Sequence, residues 1–366
     1  MTSNADAARC KATTSKGNPC RNRALPGMEL CSVHAGGGRT HGGAQSGPGR
    51  DEIAVLLEQI LAVLLELRAG MAAQGQIREP DELTRELAAK VLAFCNQKME
   101  VLKRRVDGDY TVDKWGRDLE LMAEFHPLAS FLFHKYWRVE ATGLENIPAS
   151  GRALLVANHS GVVPWDAVMI MTAVAEREKD PRNVRGLFHS WAASMPVAGL
   201  VLQRLGHVHA HPDNAMRLLS EDEAVLVFPE GAKGVGKPFS ERYQLARFGR
   251  GGFVRSALRT GAPIIPVSVV GAEEIHPVMA NAAPLAQLLN LPFLPITPTF
   301  PLLGPLGLIP LPSKWSIHFH PAIDLSHVKH GPSGEPLLVS KLTSEVREVI
   351  QQGIYDRLKK RKAVFW

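Results

Sequence analysis

No uninterrupted apolar run of eighteen or more residues occurs in the chain, so a membrane-spanning helix is not expected. The segment before Cys10 has no apolar core of a secretory signal, which points to a cytoplasmic location. There is no Walker loop and no dinucleotide glycine fingerprint, which excludes those two ways of holding a nucleotide. A Gly-x-Ser-x-Gly elbow is missing too. In Asn158-His159-Ser160-Gly161-Val162 an asparagine stands where the first glycine belongs, which argues against Ser160 as a covalent nucleophile. Cysteine is scarce, 4 in 366 residues, and Cys10, Cys20 and Cys31 lie near the start, leaving Cys95 as a small buried residue of a helical pattern. No internal repeat is visible.

What is present is a core. Apolar residues make up 45% of the chain, enough for one domain of about 200 residues plus appendages. Strand-like runs fall near Trp137 to Ala141, Ala153 to Val156, Val184 to Phe188, Val208 to Ala210, Val225 to Phe228, Ile264 to Val270 and Trp315 to Phe319, several separated by helical segments. That alternation predicts an α/β fold, a mixed sheet flanked by helices. Two of the runs stop abruptly in polar loops, Asn158 to Asp166 and Pro229 to Gly231, where open α/β sheets usually place their chemistry.

His159 is the candidate general base, because neutral imidazole is the side chain best matched to taking a proton from a hydroxyl near pH 7. Asp166 is the candidate orienter, able to fix the imidazole tautomer and to stabilise the cation formed as the proton moves. The same loop also reads as a helix cap in which Asn158 or Ser160 satisfies backbone donors. Pro229 fixes its φ and Gly231 is permissive, so Glu230 is expected in a tight turn.

Five segments in order resemble the glycerolipid acyltransferase family: Arg138 to Pro148, the Asn158-His159 segment with Asp166, Arg204 to Val208, Phe228 to Gly231, and Ala262 to Val267. The resemblance implies acyl transfer from acyl-CoA or acyl-carrier protein to a lipid hydroxyl, with no metal in the chemical step. It implies His159 and Asp166 as the catalytic pair. Asn158, Ser160, Phe228, Pro229, Glu230, Gly231, Lys233 and Pro266 take substrate-binding roles on the same basis. The chain departs from the commonest family pattern twice. Six residues separate His159 from Asp166 where four are usual, so the loop must bulge for them to meet, and His207-Val208-His209-Ala210-His211 stands where phosphate-acceptor enzymes supply an arginine. Downstream, Lys233, Lys237, Arg242, Arg247, Arg250 and Arg255 form a basic cluster suited to a polyanionic substrate or to a solvated face.

Residues 1–35 read as a separate unit. Cys10, Cys20, Cys31 and His34 make a Cys3His set able to close a tetrahedral zinc site, which would staple a segment too short to fold by itself. The unit resembles small zinc knuckles, implying structural zinc and a protein or nucleic-acid partner; a tail without fixed structure or a disulfide pair are the alternatives. Residues 36–50 form a Gly-rich linker. A helical segment, 51–135, is expected to hold helices from Asp51 to Met71, about Pro80 to Val106 and about Val112 to Lys135. The acyltransferase domain is set at 136–325. The remainder, 326–366, reads as a C-terminal amphipathic helix from Leu337 to Leu358 and a basic tail. The net charge of +6 favours an anionic membrane surface or anionic substrates and also permits nucleic acid. The charge-free stretch from Ala283 to Leu311 reads as an interfacial loop, the wall of an acyl-chain channel or a buried connection, and the basic tail as a bilayer contact or a solvated end. A peripheral place at an anionic membrane is the expectation. The competing class is a catalytically inactive lipid-binding protein recruited to nucleic acid or a protein through the knuckle.

Overall fold

The computed structural model describes residues 100–366 apart from 102, 106, 161–162, 190–195, 283–285, 287–293, 326–334 and 366. The zinc set Cys10, Cys20, Cys31 and His34, the Gly-rich linker, the helix expected from Asp51 and nearly all of the one expected from Pro80 lie outside the described residues. The chain divides into two compact units, Met1–Gly108 and Asp109–Trp366. The second is described here.

Its centre is a seven-stranded mixed sheet. In chain order the strands are β1 (Glu140–Thr142), β2 (Ala153–Ala157), β3 (Val184–Phe188), β4 (Val208–His209), β5 (Ala224–Val227), β6 (Ile264–Val270) and β9 (Ser316–Phe319). In space they run β1-β9-β6-β2-β5-β3-β4. Every pairing is parallel except β6 with β9. Each matches a strand expected from the sequence. A separate hairpin, β7 (Ala280–Asn281) with β8 (Pro295–Ile296), stands between β6 and β9.

Among the described residues the α-helices are α1 (Leu119–Phe131), α2 (Trp165–Ala175), α3 (Pro196–Arg204), α4 (Pro212–Ser220), the single turn α5 (Ala232–Val235), α6 (Gly252–Thr260) and α7 (Glu335–Lys360). β2 and β5 are buried at every position, as central parallel strands covered on both faces must be. Their side chains alternate between two cores. Ala153, Leu155 and Ala157 of β2 join Met169 and Ile170 of α2 on one face, while Leu154 and Val156 join Leu218 of α4, Val254 of α6 and Ile350 of α7 on the other. α7 earns its place by helical periodicity: Val339, Leu342, Val346, Ile350 and Ile354 recur at three- and four-residue spacing, and all are buried. On the α2 face Trp137 and Trp315 stack with centroids 4.8 Å apart.

One helix begins later than its apolar pattern suggests. The helix expected from Val112 starts at Leu119, because Asp113 accepts from the backbone N–H groups of Trp115 and Arg117 and so closes a turn of its own. Asp118 then caps α1 through Leu121 N–H at 2.9 Å. Arg185, almost fully buried on β3, pairs with both Asp113 and Glu223 and ties that turn to the sheet. α1 passes into a π-helical turn, Leu132–Tyr136, close to its expected end.

Candidate active site

Strand parity positions the histidine. Since Ala153, Leu155 and Ala157 face α2, His159, two residues further on, leaves the end of β2 toward the same face. There α2 presents Asp166 in its first turn, and Asp166 Oδ2 lies 2.7 Å from His159 Nδ1. The carboxylate also accepts from Ser160 N–H at 2.9 Å and, through Oδ1, from Ala167 N–H at 2.8 Å. It has no solvent exposure. A carboxylate can only accept, so Nδ1 is the donor, and in the neutral imidazole the lone pair lies on Nε2. The six intervening residues therefore still allow the pair to meet.

The ring is held from its other side by the neighbouring strand. Phe228, which follows β5 and packs on the α2 face, stacks on His159 with centroids 4.2 Å apart. Asn158 turns away and clamps β6, donating to Val269 O at 3.0 Å and accepting from Val269 N–H at 2.8 Å. The loops that follow β2 and β5 and the end of β6 are thus tied to one another by side chains.

Glu230 points inward. Oε1 accepts from the backbone N–H of His159 at 3.0 Å, and Oε2 accepts from Ala246 N–H at 2.6 Å with Lys237 Nζ 3.6 Å away. Its side chain has no solvent exposure. Lys237 continues the chain to Glu273 at 2.9 Å, and Glu273 accepts from Tyr243 N–H. Burial pushes the Glu273 carboxyl above the usual range, against the pull of Lys237. Gly231 follows Glu230 at φ 57° and ψ −143°, a conformation open to glycine alone. Gly234 of α5 closes on His159: a Cβ there would lie 2.8 Å from its carbonyl oxygen.

The remaining residues singled out from the sequence are spread more widely. Ser160 is buried, and Pro266 lies within β6, paired in register with Val156. Pro229 O accepts from Gly249 N–H. Lys233 is exposed and lines a cavity of about 430 Å³ with Lys237, Gln244 and Ala246. Of the rest of the basic cluster, Arg242 lies over the Phe239 ring. Lys237, Glu273, Gly234 and the Val269 clamp were not separable by sequence pattern, although Lys237 sits in the basic run. No group of ligands able to hold a metal occurs among the described residues.

Where phosphate-acceptor enzymes carry an arginine, the chain buries or caps instead. His207 is fully buried, and burial pushes its pKa down to about 4; His211 caps α4, accepting from Asp213 N–H at 3.3 Å. Burial also brings His320 to about 4, helped by His318 and Arg357, and lowers His276 and His318. These histidines fold neutral but take up protons when unfolded, so the unfolded state binds more protons between about pH 6.5 and 4. Their contribution is complete above the unfolded value and is lost as pH falls toward the folded one. Glu273, raised by burial, works in the opposite direction, one group against four. Urea unfolding should therefore show stability falling with pH across that window, by up to about 1.4 kcal/mol per unit for each deeply buried histidine. A denaturation midpoint that stays level from pH 6.5 to 4 would count against this.

Fold and site define an α/β enzyme whose polar centre is a histidine-carboxylate pair between the end of β2 and the first turn of α2. A family model described as Acyltransferase matches residues 138–270, and an uncharacterized protein of Mycobacterium tuberculosis is 44% identical over 311 residues, 84% of this chain and 86% of that protein. The chain belongs to the acyltransferase family. Phytyl ester synthase 2, a chloroplastic protein of Arabidopsis thaliana, is 30% identical over 146 residues, 38% of this chain and 20% of that one. A chloroplastic 1-acyl-sn-glycerol-3-phosphate acyltransferase of Brassica napus is 26% identical over 157 residues, 41% and 42% of the two chains.

Proposed function

We propose that the chain transfers a fatty acyl group from an acyl-CoA or acyl-carrier-protein thioester to the hydroxyl of a lipid acceptor, working peripherally at a membrane. The observation that carries this reading is the 2.7 Å contact between His159 Nδ1 and Asp166, which leaves Nε2 free to act as base. In the first step Nε2 takes the acceptor hydroxyl proton as the oxygen attacks the thioester carbonyl carbon. The tetrahedral intermediate then collapses, the C–S bond breaks, and the leaving thiolate recovers the proton from the imidazolium. Asp166 stabilises the transient cation without itself being protonated.

Lys233 and Lys237 at the 430 Å³ cavity suit the phosphates of a coenzyme A donor or an acceptor headgroup. A small apolar cavity of about 80 Å³, lined by Met122 and Phe125 of α1, Val168 and Met171 of α2, and Leu205, lies on the α2 side and suits hydrocarbon. The buried and capping histidines near β4 leave no arginine there to demand a phosphate, so an acceptor alcohol without phosphate fits as well as a glycerol phosphate. The two plant relatives are named for acceptors of each kind.

The test is thiol release from a long-chain acyl-CoA, or from acyl-carrier protein, with detergent-dispersed acceptors offered in turn. Acceptor-dependent release is expected, and the acceptor that supports it identifies the substrate. Absence of release with every donor and acceptor would favour the lipid-binding alternative.

A further inference from the structure

Between Glu274 and Lys314 the chain carries no aspartate, glutamate, lysine or arginine. This insertion joins β6 to β9, and its described residues expose large apolar side chains: Met279 at 65%, Leu302 at 87%, Leu306 at 67% and Ile309 at 58%. Exposure alone does not make a surface. Here the backbone gives it a direction, because residues 304–308 form a 3-10 helix bounded by Leu303 and Ile309. With three residues per turn, Leu303, Leu306 and Ile309 stand one above another on a single face. The inner side is closed by Gly307, where a Cβ would lie 2.5 Å from Thr299 O.

Among the described residues of the segment several polar groups are paired, while His276 Nδ1 is buried without a partner. Thr299 Oγ1 donates to Gly307 O at 2.9 Å, Leu303 N–H to Thr299 O at 2.8 Å, and His276 Nε2 contacts Leu308 O at 2.9 Å. At the root, Tyr136 Oη donates to Pro310 O at 2.6 Å and Trp137 Nε1 to Leu311 O at 3.0 Å. Burial lowers the pKa of His276, so the segment gains no charge near neutral pH. Paired backbone and absent charge are what an element must offer to enter a lipid interface, since unpaired carbonyls are costly there.

The border of this apolar face is basic. Lys314 N–H donates to Val364 O at 2.8 Å, and Arg138 donates to both Pro312 O and Phe365 O. These bonds lay Val364 and Phe365 against the root of the insertion, with Phe365 41% exposed; the same C-terminal stretch carries the exposed Lys359, Lys360 and Lys362, of which Lys359 lies 3.8 Å from Asp356. We infer that Leu303, Leu306 and Ile309 of the insertion and the C-terminal lysines form one docking surface for an anionic lipid bilayer: the apolar face enters the interface and the lysines meet the headgroups. The surface deepens the peripheral location given above, and its test needs no turnover.

The full chain is to be sedimented with neutral phosphatidylcholine vesicles and with vesicles containing phosphatidylglycerol. Binding is expected to be stronger to the anionic vesicles and weaker in high salt. The double variant Leu303→Asp with Leu306→Asp should lose at least about tenfold in binding to both kinds. The triple variant Lys359→Gln, Lys360→Gln and Lys362→Gln should lose about a hundredfold on anionic vesicles only, at ~1 kcal/mol per lysine. Both variants should keep the wild-type thermal midpoint and thiol release from a monomeric short-chain acyl-CoA without vesicles, so docking and catalysis can fail separately. Wild-type-like sedimentation of the leucine variant, or no sedimentation of the wild type, overturns the inference. A wild-type dimer that the leucine variant turns into a monomer overturns it as well, by showing that a second copy covers the face.

Discussion

Replacement of His159 by alanine is expected to cut acceptor-dependent thiol release by between about a hundredfold and ten-thousandfold, the range general-base help usually supplies. The fold should not register the change. The lost side chain contributes one ring stack on Phe228 and one hydrogen bond, and Asp166 keeps the N–H groups of Ser160 and Ala167 as donors, so no buried carboxylate is left without a partner. Thermal melts alongside the assay separate the two effects. A variant within tenfold of the wild type, with the same thermal midpoint, would remove His159 from the chemistry and leave the pair as a structural clamp.

Much of this scaffold could be read from the sequence, for reasons that also mark where reading stops. The central strands β2, β5 and β6 are short apolar runs between polar loops, and burial at every position keeps such runs continuous enough to see. The mixed fold with flanking helices followed from their alternation. The reversed direction of β9 did not, since a run such as Ser316–Phe319 looks the same whichever way it is traversed. Asp113 and Gly116 concealed the true start of α1, because side-chain turns compete with helix locally while the apolar periodicity carries on through them.

The site shows the same division. His159 and Asp166 lie seven positions apart and could be paired by chemistry alone, but the contact from Glu230 to His159 N–H spans seventy-one positions. It exists because β2 and β5 are neighbours, a fact of strand order and not of spacing. Sequence reading leaves the Glu230 carboxylate free to accept from acceptor hydroxyls or from loop amides, and resemblance implies a substrate-binding role. The geometry offers an inward one in addition, and the two make different predictions.

Glu230→Gln is expected to lower stability by about 3 kcal/mol, a fall in thermal midpoint of roughly 5–10 °C, and to reduce kcat with little change in KM. Each oxygen of Glu230 faces a backbone N–H, that of His159 on one side and that of Ala246 on the other. Glutamine has one acceptor oxygen and one NH2 group, so either orientation sets a donor against a donor where no water reaches. In both orientations Lys237 loses its second carboxylate and retains Glu273 alone, and with the amide NH2 turned toward Ala246 it also faces a donor. Turned the other way, the amide pushes the backbone of His159, and the imidazole leaves the place that Asp166 and Phe228 fix for it. A carboxylate that bound acceptor hydroxyls would behave otherwise, raising KM and leaving the thermal midpoint where it was. Measuring both constants and the melt on one preparation therefore decides which way Glu230 acts, and a raised KM with an unmoved midpoint would overturn the inward role.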